Sequence, residues 1–185
     1  MSFRATAAQA TPVSYELEWG VVRGLCWGDP NNVTVIATHG WLDNCHSFLP
    51  LAERWNSDHG GLIALDWAGH GHSDHRPRGT HYHFIDYAYD LWQILTHHIN
   101  SPVTLLGHSM GGFVSNVVAS ICPEKVDKLI LVEAFGLLVS DEMNAREQLA
   151  KGFSSRYKKR SGRWRGYAEI EAAIDARASQ ADFSR

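Results

Sequence analysis

The feature that most constrains the fold is the segment from Leu105 to Gly112, which has the sequence LLGHSMGG. The apolar run 103–106 predicts a short buried strand that leads into it. The segment 113–122, which contains neither glycine nor proline, follows it and predicts a helix. A glycine lies two residues before and two residues after Ser109, so the strand and helix backbones have room to approach closely in a tight turn. The segment therefore predicts a strand, a sharp turn and a helix, with the serine at the apex.

A serine at the apex of such a turn has its hydroxyl clear of the sheet, as a nucleophile requires. The next backbone N–H, that of Met110, lies at the predicted N-terminus of the helix, where the helix dipole favours negative charge. It is placed to donate a hydrogen bond to a developing oxyanion. We therefore predict that Ser109 is a catalytic nucleophile in a nucleophile elbow and that Met110 contributes to an oxyanion hole.

Apolar segments that alternate with helical ones predict a mostly parallel sheet with helices on both faces, an α/β fold. The predicted strands are 33–38, 62–66, 103–106 and 129–133, the predicted helices are 46–55, 84–99 and 113–122, and 15–27 predicts a β-hairpin. In such sheets, ligands bind beyond the carboxyl ends of the strands. The segment 39–41, Asp66, Ser109 and Glu133 all lie at those ends, which favours a site there.

The character of the sequence changes at residue 140. The segments 141–151 and 167–178 predict helices, and the basic run 156–165 lies between them. No strand is predicted after Glu133. We therefore predict a core domain over 1–139 and the start of a helical cap over 140–185. The basic run is interpreted as a solvated face rather than a site for phosphates or a membrane surface.

Composition excludes some classes of function. A net charge of −3 argues against general nucleic-acid binding. The three cysteines have no C-x-x-C spacing, which favours a reducing compartment over a disulfide framework. No apolar stretch is long enough to span a bilayer, and the segment 1–11 lacks the apolar region of a secretory signal. We expect a cytoplasmic protein.

Three motifs, in this order, resemble those of the α/β-hydrolase family. They are His-Gly-Trp at 39–41, Asp-Trp-Ala-Gly-His-Gly-His-Ser at 66–73 and Gly-His-Ser-Met-Gly-Gly at 107–112. The segment 131–136, followed by Ser-Asp-Glu, is similar to the serine hydrolase-like branch of that family. The matches cover about residues 15–139 and imply the α/β-hydrolase fold.

The resemblance also implies roles. Ser109 would attack an ester, thioester or amide of a small-molecule acyl substrate, and the backbone N–H groups of Trp41 and Met110 would form the oxyanion hole. No cofactor is implied. His39 is expected to hold the turn that carries Trp41, and Asp66 is expected to order its own loop.

The family pattern breaks after the elbow. Its catalytic residues follow the chain order Ser, then Asp or Glu, then His, yet none of the 11 histidines follows Ser109. His108 precedes the serine and is expected to point away from it. Glu133 is a candidate triad acid, although a later strand absent from the 185 residues is favoured for that role. The sequence is therefore interpreted as the N-terminal part of a hydrolase, whose incomplete sheet would expose an apolar edge.

Two alternatives compete with this interpretation. The spacing H-x-H-x-D-H, formed by His70, His72, Asp74 and His75, is typical of a two-zinc hydrolase, although no histidine lies beyond residue 108 to complete such a site. A chain without a general base is also consistent with a non-catalytic protein that binds acyl ligands or a partner. We expect no metal in the favoured interpretation.

Overall fold

The structure is a computed structural model of the chain. It describes residues 7, 9–134, 145–159 and 167–179. The chain divides into two compact units, Met1–Leu137 and Leu138–Arg185.

The first unit contains a six-stranded sheet with the order β1-β2-β4-β3-β5-β6. Its strands are β1 (Thr11–Leu17), β2 (Gly20–Trp27), β3 (Val33–Thr38), β4 (Gly61–Leu65), β5 (Val103–His108) and β6 (Val126–Val132). Strand β2 pairs antiparallel with β1 and with β4, whereas β4, β3, β5 and β6 are parallel to one another. The parallel part brings the carboxyl ends of four strands to one edge of the sheet, as the sequence predicted.

The described helices of the first unit include α1 (Leu49–Ala52), α2 (Phe84–His97) and α3 (Met110–Ile121). The predicted helix 46–55 is instead a 3-10 turn over 45–48 followed by the single turn of α1. Asn44 caps the 3-10 turn by accepting from the His46 N–H. Pro50 has no N–H to donate to the carbonyl four residues earlier, so one continuous α-helix cannot form here.

Helices cover both faces of the sheet, which confirms the predicted fold class. On one face, α2 and α3 place Leu91, Ile94 and Val114 in a core that includes Ile36 and Leu105. On the other face, the 3-10 turn and α1 pack against apolar residues of β3 and β4. The residues of this second core are Trp27, Ala37, Cys45, Phe48, Leu49, Ala52, Leu62 and Ala64.

Strand β6 forms one edge of the sheet. In the part of the chain that the structure describes, β5 pairs with one side of β6 and no strand pairs with the other. Ile130, Leu131 and Val132 are 48%, 37% and 44% exposed. An apolar edge is therefore exposed, as predicted, and exposed edges of this kind favour association between chains.

The described part of the second unit contains two helices, α4 (Ala145–Lys159) and α5 (Ile170–Ala178). The helix predicted over 141–151 continues into the basic run, while residues 141–144 and 160–166 lie outside the described residues. An exposed ion pair joins Lys151 and Glu147, with Nζ and Oε1 2.7 Å apart. The described helices include none that is long and apolar enough to cross a bilayer. The assignment of 140–185 to a cap stays a prediction.

Candidate active site

Ser109 lies at the apex of a sharp turn between β5 and α3. Its φ of +49° is in the left-handed region, which non-glycine residues seldom adopt. A Cβ on Gly107 would lie 2.4 Å from the Gly112 Cα atom, and one on Gly111 would lie 2.2 Å from the Thr38 carbonyl oxygen. The two glycines that flank the serine therefore let α3 start directly against β5 and β3, which is the geometry the motif predicts.

Backbone hydrogen bonds fix this turn on both sides. The Ser109 N–H donates to the Val132 carbonyl at the end of β6 (2.9 Å). The Ser109 carbonyl accepts from the N–H groups of Gly112 (2.9 Å) and Phe113 (3.2 Å). The N–H of Met110, the first residue of α3, makes no hydrogen bond within the described residues. Among the residues that the structure describes, none has to be displaced for this N–H to bind an added acceptor.

The segment 39–43, which we call the oxyanion turn, lies against this elbow. A Cβ on Gly40 would lie 3.3 Å from the Ser109 Cβ atom and 3.1 Å from Nδ1 of His108. The half-buried His108 ring therefore packs on the oxyanion turn. Trp41 is 57% exposed, and its backbone N–H has no partner in the described part of the chain. The two predicted oxyanion donors thus lie on the two segments that adjoin Ser109.

The buried ring of His39 stabilises the oxyanion turn through hydrogen bonds. Its ring is fully buried, Nδ1 lies 2.7 Å from the Gly40 carbonyl oxygen, and Nε2 accepts from the Trp67 N–H (3.1 Å). The Trp67 indole N–H in turn donates to the His39 carbonyl (2.9 Å). Burial lowers the pKa of His39 to about 4, so the ring is neutral at pH 7. The expectation that His39 holds this turn agrees with these contacts.

A second imidazole reaches the turn from the segment 66–74, which we call the aspartate loop. Nδ1 of His70 lies 3.1 Å from the Ala68 carbonyl oxygen, and its Nε2 accepts from the Leu42 N–H (3.3 Å). The ring also contacts the Trp41 ring edge to face, with 5.6 Å between centroids. Burial lowers the pKa of His70 below its ordinary value.

Asp66 orders the aspartate loop, as expected from the sequence. Its carboxylate is almost fully buried and accepts from the N–H groups of Cys45 (2.7 Å) and His72 (2.9 Å). The Ser73 hydroxyl donates to the Asp66 carbonyl (2.6 Å). Gly71, with φ of +49°, passes so close to this carboxylate that a side chain would overlap it. These contacts show that the Asp66 carboxylate binds backbone groups of its own loop and of the segment that starts at Cys45.

Strained backbone is concentrated around the elbow. The described non-glycine residues with positive φ are Leu42, Ser109 and Glu133, and each lies just beyond the end of one of the neighbouring strands β3, β5 and β6. Such conformations cost about 1–3 kcal/mol each and occur preferentially at functional sites. Glu133 is exposed and directly follows Val132, the residue whose carbonyl accepts the Ser109 N–H.

Comparison with known proteins identifies the family. The sequence model of the alpha/beta hydrolase fold family matches residues 33–167. The chain belongs to the α/β-hydrolase family. The three motifs that resembled this family all lie within the matched region, and two of them form the elbow and the oxyanion turn.

Individual relatives place this α/β-hydrolase within a branch. It is 32% identical to the serine hydrolase-like protein of Danio rerio over 136 residues, which are 74% of this chain and 41% of the relative. It is 33% identical to the serine hydrolase-like protein of Homo sapiens over 144 residues, which are 77% of this chain and 70% of the relative. The chain thus belongs to the serine hydrolase-like branch and spans less than half the length of the Danio relative.

A solved structure shares the fold of this chain. The crystal structure of a hypothetical protein from Pseudomonas aeruginosa PAO1 superimposes with a TM-score of 0.80 at 35% identity. The match covers 91% of this chain and 59% of that one. The family and its branch names support a hydrolase.

The alternative two-zinc set is not brought together in this α/β-hydrolase. Asp74 pairs with Arg23 (2.6 Å), and Nδ1 of His75 lies 3.1 Å from the Tyr82 hydroxyl. His70 uses both ring nitrogens on backbone groups. In the described ranges, no three His, Cys, Asp or Glu side chains are placed to share a metal ion.

Sequence reasoning missed the contribution of His70 to the oxyanion turn. The alternation of glycine and histidine in the aspartate loop raised the two-zinc alternative, because H-x-H spacing occurs both in such zinc sites and in this loop. The family motifs did contain a signal for this contact. Strands β3 and β4 are parallel neighbours, so the aspartate loop after β4 must pass close to the oxyanion turn after β3.

Proposed function

We propose that the protein is a serine hydrolase that acts on carboxylic ester-like bonds, namely esters, thioesters or amides, through an acyl-enzyme on Ser109. One observation carries this proposal. Ser109 lies at a strained apex, and the N–H groups of Trp41 and Met110, which have no partner among the described residues, lie on the two segments next to it. A nucleophile beside two oriented backbone donors is the arrangement that acyl transfer requires.

The chemistry follows in two steps. The Ser109 hydroxyl oxygen attacks the acyl carbonyl carbon while a base takes its proton, and the carbonyl oxygen becomes an oxyanion held by Trp41 and Met110. The tetrahedral intermediate expels the alcohol, thiol or amine with a proton and leaves the acyl-enzyme. Water then attacks the ester carbon in the same way and releases a carboxylic acid and free Ser109. Loss of one such donor typically lowers the rate by about 10²–10³.

The proposed mechanism also requires a general base for Ser109 and an acidic residue that supports this base. None of the 11 histidines follows Ser109, so the 185 residues do not supply the histidine in the order that the family uses. Glu133 is a candidate acid, because it is exposed at the end of β6, next to the residue that accepts the Ser109 N–H. The proposed substrate is a small-molecule acyl compound, with no cofactor, and the proposed location is the cytoplasm.

A fluorophosphonate probe tests the nucleophile in this chain. Because no histidine is supplied after Ser109, we expect slow labelling that accelerates when imidazole is added as an external base. Mass spectrometry of the labelled peptide should locate the probe on Ser109, and Ser109→Ala should remove it. Ser120→Ala is the matched control, since Ser120 is an exposed serine on the helix α3 that follows Ser109. Labelling that survives Ser109→Ala would contradict the proposal.

The second candidate is a non-catalytic protein that binds acyl ligands or a partner. Within the 185 residues, no histidine follows Ser109 to act as its base. Absence of labelling at Ser109 at every imidazole concentration would support this second candidate over the hydrolase.

A further inference from the structure

We propose that His39 and His70 are positioning residues that fix the two peptide planes on either side of Trp41 and so direct its N–H towards the Ser109 site. The inference deepens the proposed function and rests on it, since the direction of that N–H matters only if it binds an oxyanion. It extends the support that His39 gives the turn to a second imidazole, that of His70, which acts on the next peptide group.

The contacts define one tautomer for both rings. Nδ1 of His39 contacts the Gly40 carbonyl oxygen, and Nδ1 of His70 contacts the Ala68 carbonyl oxygen. Because a carbonyl oxygen only accepts, Nδ1 carries the proton in both rings. Nε2 of each ring accepts a backbone N–H, from Trp67 and Leu42 respectively, so it carries no proton. Both rings are therefore neutral, and burial favours this state by lowering the pKa of each.

The two histidines act on successive peptide groups. A trans peptide is planar, and its carbonyl and N–H point in opposite directions. His39 holds the Gly40 carbonyl, so it fixes the plane that carries the Trp41 N–H and directs that N–H away from the buried ring. His70 holds the Leu42 N–H, which belongs to the next plane. With both planes held, the backbone dihedral angles of Trp41 are fixed.

The support is also reciprocal. His39 lies on the oxyanion turn and binds the N–H of Trp67 in the aspartate loop, whereas His70 lies on the aspartate loop and binds the N–H of Leu42 in the turn. The two rings contact each other, with centroids 5.2 Å apart. Leu42 has a φ of +58°, a conformation that a leucine keeps only when neighbouring contacts hold it. The hydrogen bond that the Leu42 N–H donates to Nε2 of His70 is one of these contacts.

His70 is the better residue to change, because it is only half-buried whereas His39 is fully buried. His70→Gln keeps an oxygen acceptor that can reach the place of Nε2, and His70→Phe keeps a ring but removes both hydrogen bonds. His72→Gln is the matched control, since this neighbouring histidine uses its backbone N–H, not its ring, on Asp66.

The first measurement is NMR on the 185-residue protein at pH 7. Long-range ¹H–¹⁵N spectra should show His70 protonated at Nδ1 only, and the amide resonances of Trp41 and Leu42 should shift in His70→Phe. They should return towards the wild-type positions in His70→Gln and remain unchanged in His72→Gln. The proposal would be overturned if His70 is protonated at Nε2, or if the amide resonances of Trp41 and Leu42 do not shift in His70→Phe. The tautomer measurement needs no variant, so it decides even if a variant fails to fold.

The second measurement is the imidazole-promoted labelling of Ser109 by the fluorophosphonate. Since small displacements of a catalytic group cost up to about 100-fold, we expect His70→Phe to slow labelling by about 10- to 100-fold and His70→Gln to restore most of the rate. Wild-type labelling with no loss in His70→Phe would refute the positioning role. If the wild type does not react at all, the proposed function fails, and the NMR result still decides whether the imidazoles hold the turn.

Discussion

Replacing Gly111 with alanine would place a methyl group against the backbone of β3. Its Cβ would lie 2.2 Å from the Thr38 carbonyl oxygen and 2.6 Å from the carbonyl carbon. Ordinary contacts between carbon atoms lie at about 3.5–4.0 Å, so α3 or β3 must move by about 1 Å or more. Such a movement also strains the hydrogen bond from the Thr38 hydroxyl to the Gly111 carbonyl (3.1 Å).

The expected cost follows from these contacts. Overpacking that side chains relieve costs about 1–3 kcal/mol, and here the neighbours are backbone atoms of a central strand, so we expect about 3 kcal/mol or more for Gly111→Ala. For a chain of this size that corresponds to a fall in Tm of about 6–12 °C. Gly152→Ala is the matched control, because Gly152 lies within helix α4 with nothing within 4 Å of an added Cβ. It should raise stability by up to about 1 kcal/mol.

The assay is urea unfolding followed by tryptophan fluorescence, with the free energy of unfolding extrapolated to water. Circular dichroism should confirm that both variants fold. If Gly111→Ala unfolds within about 0.5 kcal/mol of the wild type, the close packing of the elbow against β3 is wrong.

Three further perturbations test other parts of the structure. Arg76→Ala should cost about 3–5 kcal/mol of unfolding free energy, because it leaves the carboxylate of Asp90, 1% exposed, without its cation (2.6 Å). Stability should fall as the pH is lowered from about 6.5 to about 4, by about 3 kcal/mol, because His39 takes up a proton in the unfolded chain near 6.5 but in the folded chain only near 4. Ile130→Lys should reduce self-association in light scattering, since this side chain is 48% exposed on the edge strand β6.

Each of these has a control of the same kind. Lys151→Ala removes an exposed ion pair and should change the free energy of unfolding by less than about 1 kcal/mol. For the pH dependence, His39→Gln is the control and should flatten the fall in stability between pH 6.5 and pH 4. Ile85→Lys changes an isoleucine that is 61% exposed on a helix, so it should not reduce association. Equal effects of the members of any pair would contradict the reasoning.

Much of the sheet was predictable, because its buried strands are short apolar runs that end at glycine or polar residues. The predicted strand 33–38 matches β3, and the predicted strand start at Val103 matches β5. Strand β6 begins at Val126, earlier than predicted, because an edge strand tolerates the polar pair Asp127 and Lys128. A pattern of apolar residues identifies strands that are buried. Strand β6 is mostly exposed, so its first residues do not show such a pattern.

The candidate site was predictable at Ser109 and at the ends of the strands, because the spacing of glycines encodes a close approach of backbones. The contacts of His70 were not predictable, since they depend on how two loops of distant sequence fold against each other. The left-handed backbone of Leu42 carries no sequence signal, because leucine has no preference for it. Its conformation comes from tertiary contacts. Pro50 could have predicted that no continuous helix forms over 46–55. It has no N–H, so it cannot make the helical hydrogen bond to the carbonyl four residues earlier.

The order of the strands also sets how the chain reaches its folded state. Among the described strand pairs, only β1 and β2 form a hairpin. The central pairings join residues that are distant in the sequence, because Ile36 of β3 pairs with Ile63 of β4 and with Leu105 of β5. The loop-closure entropy of these distant pairings must be met before their contacts form, so the sheet is expected to assemble slowly. During synthesis on the ribosome, β3 and β4 emerge well before β5, and one side of β3 stays without its partner for that interval. An unpaired strand edge can pair with another chain, so nascent copies of this protein are expected to associate during that interval.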